Sequence, residues 1–439
     1  MSALTQNPAV WRCRVAGGAN NGAGYDGTTY AGGVDYTDQD AAQTSGILGT
    51  SSASTTFTDA TASFPSNCVG NAILLSSGTG ATVGYYFITA YVSATQVTLD
   101  RVSGTYSTGV WAMGGAMEIT RFKTIIDSST VAGLKVIPGN TVYVRGAGTT
   151  IPSANDYVTT GYITVVSGDI TNGRVKVIGY NGRPRIQGNG LLFYSMSYDN
   201  IENMYITTNG ASNGTIGMFS AGGDVIIKDC IINTNNQAGL KAINGGSVIN
   251  CEVWSGTTTP TASAGSDGIT VTNYNPLIIG CYVHHMGGIG ITMPNIAMGT
   301  ITNNIIYANK GDGINMSVGT SPSYTYSISN NTIDGNGGHG IILSVSSAIN
   351  DFHIYNNIIS NHTTAAKFAI SVAGTLATNN RMKQFIDYNN LFNNTGTYSG
   401  ISAGTHDTTL DPQYTSVGTD FSVGTNMKAI GFPSVLPPV

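Results

Sequence analysis

Short apolar segments recur along the chain from about residue 200 onward, at intervals of 21 to 33 residues. Each copy has a short apolar strand, an Asn or Cys pivot, further apolar residues, a polar Gly-rich turn and a second short strand. Strands this short cannot bury both faces as hairpins, whereas winding each coil onto the next buries one face of every strand. The pattern therefore predicts an all-β solenoid of parallel strands. The pivots are Cys230, Cys251, Cys281, Asn304, Asn331, Asn357 and Asn390.

Side chains at and beside the pivots are expected to stack on their equivalents in neighbouring coils, which lie about 4.8 Å apart in such a solenoid. The stacking would place Ile on Ile and Cys on Cys. Asn suits a bend because it tolerates the left-handed region and its amide can pair with the copies above and below. We therefore predict a structural ladder of side chains at Asn304, Asn331, Asn357 and Asn390.

Other patterns precede the repeat. Residues 139–145 and 175–186 have the character of opening coils, and alternating apolar residues within 47–115 predict a small β module. Apolar residues at helical spacing predict a short helix that caps the solenoid, and these are Met117, Ile119, Phe122, Ile125 and Ile126. The predicted organisation is an extended or anchoring segment at 1–46, the β module at 47–115, the capping helix at 116–134, the β-helix at 135–405 and a carboxy-terminal cap or tail at 406–439.

Charged residues make up only 9% of the chain, against about 25% in an average soluble protein. Ser, Thr, Asn and the 58 Gly must therefore supply the polar surface. Disorder is not expected, because 41% of the residues are hydrophobic and 23 are Tyr. The net charge of -5 and the absence of a basic run interleaved with aromatic residues exclude nucleic acid as an expected partner.

The first eight residues have neither a basic nor an apolar region, and no segment approaches the roughly 18 apolar residues of a membrane helix. We expect neither a secretory signal nor a membrane anchor. The five cysteines are widely spaced, without a Cys-x-x-Cys pair, so we expect reduced thiols in a protein made in the host cytoplasm. No cofactor and no metal site are predicted.

The repeated phrases Asn-Asn-Ile-Ile and Gly-Asp-Gly-Ile, the entry at 139–144 and the ending at 411–414 resemble the pectin-lyase-like right-handed parallel β-helix family over about residues 135 to 430. Residues 35–43 and 97–101 resemble a module that precedes β-helices in bacteriophage particle proteins. The resemblance implies a right-handed parallel β-helix in a phage particle. Members of the family include pectate and pectin lyases, polygalacturonases, tailspike depolymerases and non-enzymatic spikes or head-decoration proteins, so the fold does not select a function.

Candidate catalytic residues precede the Gly-Ile of successive coils. Asp312 and His339 are predicted about 5 Å apart, and Asp267 about 10 Å from Asp312, with Ile289 between them. A carboxylate pair at the second spacing would suit inverting hydrolysis. We favour the alternative that these residues have a structural role, because an Asp beside a turn glycine commonly forms hydrogen bonds with the backbone.

Other polar residues offer weaker candidates. The chain has only three Glu, and no Asp cluster has the density of a Ca²⁺ site. The pair His284-His285 is predicted to have a surface role, with His353 and His362 coils away.

The first functional hypothesis is a non-enzymatic virion protein that decorates the phage head or forms a short spike, and family habit implies a homotrimer. Its expected partners are the major capsid protein or other virion proteins, and its expected location is the particle surface. A second hypothesis is a tailspike enzyme that cleaves host polysaccharide with Asp267, Asp312 and His339. A third is a non-catalytic adhesin for a host surface glycan.

Overall fold

The structure is a computed structural model with two compact units. The first unit comprises Met1–Thr159, Ile163–Ile186 and Ser197–Met204, and the second comprises Thr160–Tyr162, Gln187–Met196 and Tyr205–Val439. The residues described are 10–15, 21–24, 32–126, 136–148, 157–159, 163–188, 193–194, 197–208, 216–219, 223–235, 238–262, 266–272, 275–296, 298–318, 325–345, 351–374 and 384–424. Large parts of the predicted 1–46 segment, residues 127–134 of the predicted helix and 425–439 of the predicted tail lie outside them.

Among the described residues, the regular elements are β-strands apart from one helix. The elements up to residue 188 are β1 (Val10–Cys13), β2 (Ala23–Gly24), β3 (Thr44–Ser52), β4 (Thr56–Thr58), β5 (Ala72–Ser77), β6 (Gly84–Ser93), β7 (Gln96–Leu99), β8 (Thr105–Met113), helix α1 (Ile119–Ile126), β9 (Thr141–Arg145), β10 (Tyr157–Thr159), β11 (Ile163–Thr164), β12 (Val175–Tyr180) and β13 (Arg185–Gly188).

The later strands are shorter and more regularly spaced. They are β14 (Phe193–Tyr194), β15 (Asp199–Glu202), β16 (Tyr205–Thr208), β17 (Ile216–Phe219), β18 (Gly223–Lys228), β19 (Ile231–Asn233), β20 (Ala238–Ile249), β21 (Glu252–Trp254), β22 (Ile269–Thr272), β23 (Leu277–Ile279), β24 (Tyr282–His284), β25 (Ile291–Ile296), β26 (Gly299–Thr302), β27 (Ile305–Tyr307), β28 (Ile314–Val318), β29 (Thr325–Ser329), β30 (Thr332–Asp334), β31 (Ile341–Val345), β32 (Asp351–Tyr355), β33 (Ile358–Ser360), β34 (Phe368–Gly374), β35 (Gln384–Asp387), β36 (Asn390–Phe392) and β37 (Gly396–Ser399).

Within the first unit, β3 to β8 form a closed antiparallel sheet in the order β3-β4-β7-β6-β5-β8. Its interior is aromatic, with Phe57 and Phe64 packed against Trp111. The indole nitrogen of Trp111 donates to Asp59 Oδ2 at 2.8 Å, which satisfies the one polar atom of a buried ring. The module predicted at 47–115 is thus a sheet that runs from Thr44 to Met113.

The first unit also contains opening coils. Strands β9 and β12 pair in parallel, as predicted for 139–145 and 175–186. Strand β1 pairs in parallel with β9, so Val10–Cys13 adds a strand to these coils, which the sequence reading of 1–46 as an extended segment did not anticipate. Helix α1 buries Phe122, Ile125 and Ile126 fully, as their helical spacing predicts.

Three parallel sheets build the second unit. Sheet 1 contains β14, β17, the first half of β20, β22, β25, β28, β31, β34 and β37. Sheet 2 contains β18, the second half of β20, β23, β26, β29, β32 and β35. Sheet 3 contains β16, β19, β21, β24, β27, β30, β33 and β36.

Each coil supplies one strand to each sheet and stacks its inward residues on those of the next coil. The isoleucines of three successive coils, all at most 1% exposed, are Ile301, Ile328 and Ile354 in sheet 2, Ile306, Ile333 and Ile359 in sheet 3, and Ile314, Ile341 and Ile370 in sheet 1. Burying one such side chain is worth about 1.5–3 kcal/mol. The predicted right-handed parallel β-helix is confirmed.

A ladder of asparagines joins sheets 2 and 3. At each step one Asn Oδ1 accepts from the backbone N–H and the side-chain Nδ2 of the Asn in the preceding coil, at 3.0–3.2 Å. The members are Asn304, Asn331, Asn357 and Asn389, and the carboxylate of Asp407 accepts from Asn389 and ends the series.

The prediction that Asn390 is the fourth member of the ladder is wrong. Asn390 opens β36, and its Nδ2 donates to the carbonyl oxygen of Leu410 at 2.8 Å. The left-handed conformation belongs to the residue before each ladder Asn, and in this coil that residue is Tyr388, with φ 59°. Because Tyr388 stands where the other coils have Asn, the repeat of residue types places the pivot of this coil one residue too late. Upstream of the ladder the same pivot position is Cys230, Cys251 and Cys281, which are buried free thiols.

A second column of polar residues lies inside the turn between sheets 3 and 1. Asn309 donates through its backbone N–H and Nδ2 to Asn336 Oδ1 at 3.0 and 2.9 Å. In the next two coils the position is His362 and Asn394, and the His362 N–H donates to Asn394 Oδ1 at 3.1 Å. His362 is fully buried, and neither ring nitrogen has a hydrogen-bond partner.

The outer face of sheet 3 is covered by residues 405–424, which we call the carboxy-terminal strap. Phe421 of the strap packs on Tyr282 and Ile305, and Val423 packs on Ile358. The Tyr282 hydroxyl donates to the carbonyl oxygen of Gly418 at 2.8 Å. Within the described part of the chain, no helix has the length and apolar character needed to cross a membrane.

Candidate functional site

The three candidate residues occupy the positions expected from the sequence. Backbone hydrogen bonds connect Gly268 N–H to Ile289 O, Gly290 N–H to Asp312 O and Gly313 N–H to His339 O. Asp267, Ile289, Asp312 and His339 therefore follow one another in successive coils, and Ile289 separates the two carboxylates.

Both carboxylates bind the next coil. Asp267 Oδ1 accepts from the backbone N–H of Ile289 at 2.9 Å, and Asp312 Oδ1 accepts from that of His339 at 2.7 Å. Each lies directly over a glycine of that coil, because a Cβ atom at Gly288 or Gly338 would come within 2.4 or 2.1 Å of the carboxylate oxygen. The same contact at two coils is a repeated means of joining coils.

His339 is held in a similar way. Its Nδ1 accepts from the backbone N–H of Phe368 at 3.0 Å, and its ring stacks on that of Phe368. Acceptance at Nδ1 leaves the proton on Nε2 in the neutral form. Burial lowers the pKa of His339, while the carboxylate of Asp312 opposes that shift. The structure thus connects Asp312 to the backbone N–H of His339, whereas Asp267 is hydrogen-bonded to the backbone of a different coil, at Ile289.

The outer face of sheet 1, beside these residues, presents few side chains that could act as an acid or a base. From β22 to β34 its outward columns are uncharged. They consist of Thr270, Thr292, Asn315, Ile342 and Ser371, and of Ser317, Ser344 and Ala373. Thr292 donates to Asp267 Oδ2 at 3.0 Å, so that carboxylate has partners on both oxygens.

Two clusters that sequence reasoning missed combine a carboxylate with histidine. In the first, Glu252 Oε1 lies 3.2 Å from His284 Nε2, and His284 Nδ1 lies 2.8 Å from His285 Nδ1. The His284 ring stacks on Tyr282 at 4.0 Å and on Trp254 at 5.6 Å. Glu252 and His284 are 32 residues apart, and the parallel register of β21 and β24 brings them together.

The second cluster lies at the last coils. Asp387 Oδ2 contacts His406 Nδ1 at 2.7 Å, and the His406 ring lies parallel to that of Tyr388 with centroids 4.6 Å apart. Phe385 contacts His353 and Tyr355 edge-on. Phe385 and Tyr388 are 41% and 47% exposed, so the cluster presents apolar rings to solvent. No sequence signal identified it, because His406 lies in the strap.

The comparisons with known proteins concern the fold. Residues 255–382 match the family model described as a right handed beta helix region. No curated protein sequence matches the chain. A similar solved structure is pectate lyase Pel9A, at 14% identity, over 66% of this chain and 80% of that chain, with a TM-score of 0.40.

Two phage structures are also similar. The Dettilon tailspike protein gp208 matches at 14% identity over 63% of this chain and 57% of its own, with a TM-score of 0.40. The tailspike protein gp49 from Pseudomonas phage LKA1 matches at 14% identity over 75% of this chain and 65% of its own, with a TM-score of 0.26. Similarity at this level concerns the β-helix fold alone.

Proposed function

We propose that the protein is a non-enzymatic structural component of a bacteriophage particle, as a head-decoration protein or short spike. It would act as a homotrimer on the particle surface, in contact with the major capsid protein or other virion proteins. The resemblance of residues 35–43 and 97–101 to modules of phage particle proteins supports the phage assignment.

The observation that carries the non-enzymatic assignment is how Asp267 and Asp312 use their carboxylates. Both accept backbone N–H groups of the following coil, over a glycine. A carboxylate that acts as general acid or base must reach the proton that it transfers, at about 2.6–3.2 Å. Moving either group toward a substrate would break a bond between coils, so both residues are suited to stabilise the stack.

We expect no cleavage when the purified protein is incubated with capsular polysaccharide and lipopolysaccharide of the host bacterium. The measurement follows reducing ends and the absorbance of unsaturated sugars. The matched variant is Asp312→Asn, which keeps an oxygen to accept the His339 N–H and removes the charge. Particles stripped of this protein should rebind both forms equally. Product that forms with the wild type and disappears in Asp312→Asn would establish the depolymerase instead.

A glycan-binding adhesin is a second candidate, and the exposed rings of Phe385, Tyr388 and His406 favour it. Flat apolar rings beside a fixed carboxylate suit the apolar faces and hydroxyl groups of sugars. If the adhesin hypothesis holds, Tyr388→Asn should weaken binding to immobilised host lipopolysaccharide at least tenfold. Asn is compatible with this left-handed position, since Asn330 and Asn356 occupy it in other coils.

The control for that binding assay is Ile170→Ala, which removes an exposed apolar side chain in the first unit. Equal binding by wild type, Tyr388→Asn and Ile170→Ala, or no binding at all, would eliminate the ring cluster as a glycan site and leave the particle role.

A further inference from the structure

We propose that His284 and His285 form a binding site for a divalent transition metal of tetragonal preference, Cu²⁺ or Ni²⁺. The two Nδ1 atoms of these adjacent residues face each other at 2.8 Å. In the metal-free protein the Nδ1–H of His285 donates to Nδ1 of His284. On metal binding that proton would move to Nε2 of His285, so that both Nδ1 atoms are free to bind the ion.

The other nitrogen of His284 is already oriented. Glu252 Oε1 lies 3.2 Å from His284 Nε2, so the carboxylate holds a proton on Nε2 and leaves the Nδ1 lone pair directed at His285. A carboxylate on the far nitrogen is the usual support for a metal-binding histidine, because it fixes the tautomer and raises the basicity of the ligand.

The aromatic neighbours fix the plane of the ring. The His284 ring stacks on those of Tyr282 and Trp254, with interplanar angles of 19° and 16°. The ring of His285 meets that of Tyr307 edge-on, with centroids 5.3 Å apart. Both imidazoles are therefore held before a metal arrives, which lowers the entropy lost on binding.

The distance between the nitrogens selects the metal. With metal–nitrogen bonds of about 2.0 Å, two nitrogens 2.8 Å apart subtend an angle of about 90° at the metal, whereas a tetrahedral site needs them about 3.3 Å apart. An angle near 90° suits the neighbouring positions of a square-planar or octahedral ion, such as Cu²⁺ or Ni²⁺, rather than tetrahedral Zn²⁺.

The site provides two protein nitrogens. Among the described residues, no group of three or more His, Cys, Asp or Glu side chains surrounds a metal position. Water would therefore complete the coordination, and the affinity should be that of a two-histidine chelate. Because Trp254 and Tyr307 flank the pair, a bound paramagnetic Cu²⁺ should also quench tryptophan fluorescence.

The test titrates tag-free protein with CuSO₄, NiSO₄ and ZnSO₄ by calorimetry, with electron paramagnetic resonance of the Cu²⁺ complex. We expect one Cu²⁺ per chain, nitrogen hyperfine structure from two imidazoles, and tighter binding of Ni²⁺ than of Zn²⁺. His285→Asn should weaken Cu²⁺ binding at least tenfold. Asn suits this left-handed position, which Asn361 and Asn393 occupy in later coils. Glu252→Gln should weaken binding by about tenfold, the lower range for a residue behind the ligand.

The control is His353→Asn, which changes a histidine on another sheet and should leave Cu²⁺ binding unaltered. Thermal unfolding of each variant shows whether it is folded. The proposal is overturned if folded His285→Asn binds Cu²⁺ as tightly as the wild type, if the spectrum shows fewer than two nitrogen ligands, or if the wild type binds no Cu²⁺ at micromolar concentration.

Discussion

Asn331→Ala is expected to lower the free energy of unfolding by about 3–5 kcal/mol. Asn331 is 1% exposed. Its Oδ1 accepts from the backbone N–H and Nδ2 of Asn304, and its Nδ2 donates to Ile301 O and Asn357 Oδ1, all at 3.0 Å. Alanine would leave buried donors and acceptors in the two adjoining coils without partners, and each costs about 1–3 kcal/mol.

The measurement is urea-induced unfolding of the wild type and the variant. Their free energies of unfolding are compared with the same dependence on urea concentration for both proteins. The matched control is Asn315→Ala, which removes an outward amide of sheet 1 that lies 3.5 Å from Asp312 Oδ2. That change should stay within about 0.5 kcal/mol. A loss below about 1 kcal/mol for Asn331→Ala would contradict the ladder as a main source of stability.

The ladder also shows how far the sequence predicts this fold. Spacing of Ile and Asn is sufficient to predict the coils, since inward residues must repeat once per turn. The register of the last coil was lost because Tyr388 occupies a left-handed position that other coils fill with Asn303, Asn330 or Asn356. The left-handed backbone conformation of Tyr388 sets the register of the last coil. A repeat of residue types does not reveal that conformation.

The end of the ladder has a chemical reason that is clear only in three dimensions. Asp407 accepts from Asn389, and no described coil follows it, so a carboxylate suits this position, whereas interior positions need a group that both accepts and donates. Asp407 lies in the strap, outside the repeat pattern. Nothing in the sequence pattern relates it to Asn389.

The histidine clusters were missed for a related reason. Glu252 has no acidic equivalent in neighbouring coils. The register of β21 and β24 pairs it with Tyr282, yet its carboxylate reaches His284, two residues further along β24. His406 reaches Asp387 from the strap. Sites built from unlike residues in adjacent coils require the register of each coil, and a search for repeated residue types does not find them.

His362→Asn is expected to stabilise the protein, although it changes a fully buried residue. His362 occupies the column of Asn309, Asn336 and Asn394, and both of its ring nitrogens lack a partner. An Asn there can donate and accept as the other members do. Removing two unsatisfied buried groups should raise the free energy of unfolding at pH 7 by about 1–3 kcal/mol.

The gain should increase on acidification. Burial, with a smaller contribution from His339, lowers the pKa of His362 from 6.5 to about 4. Between these values the unfolded chain binds a proton that the folded chain does not, so the stability of the wild type falls as the pH falls from about 6.5 to 4. A shift of this size corresponds to about 3 kcal/mol, which His362→Asn should recover.

The difference between wild type and variant is the quantity to measure, by urea unfolding at pH 7, 5.5 and 4.5. The wild-type curve alone is ambiguous, because burial raises the pKa of Asp199 to about 7. The contribution of Asp199 to the free energy of unfolding therefore increases as the pH falls. Asp199 is common to both chains, so its contribution cancels in the difference. His353→Asn, on the outer face of sheet 2, provides the control. A constant difference across this pH range would mean that His362 accepts its proton without cost, and that the interior of this turn is open to water.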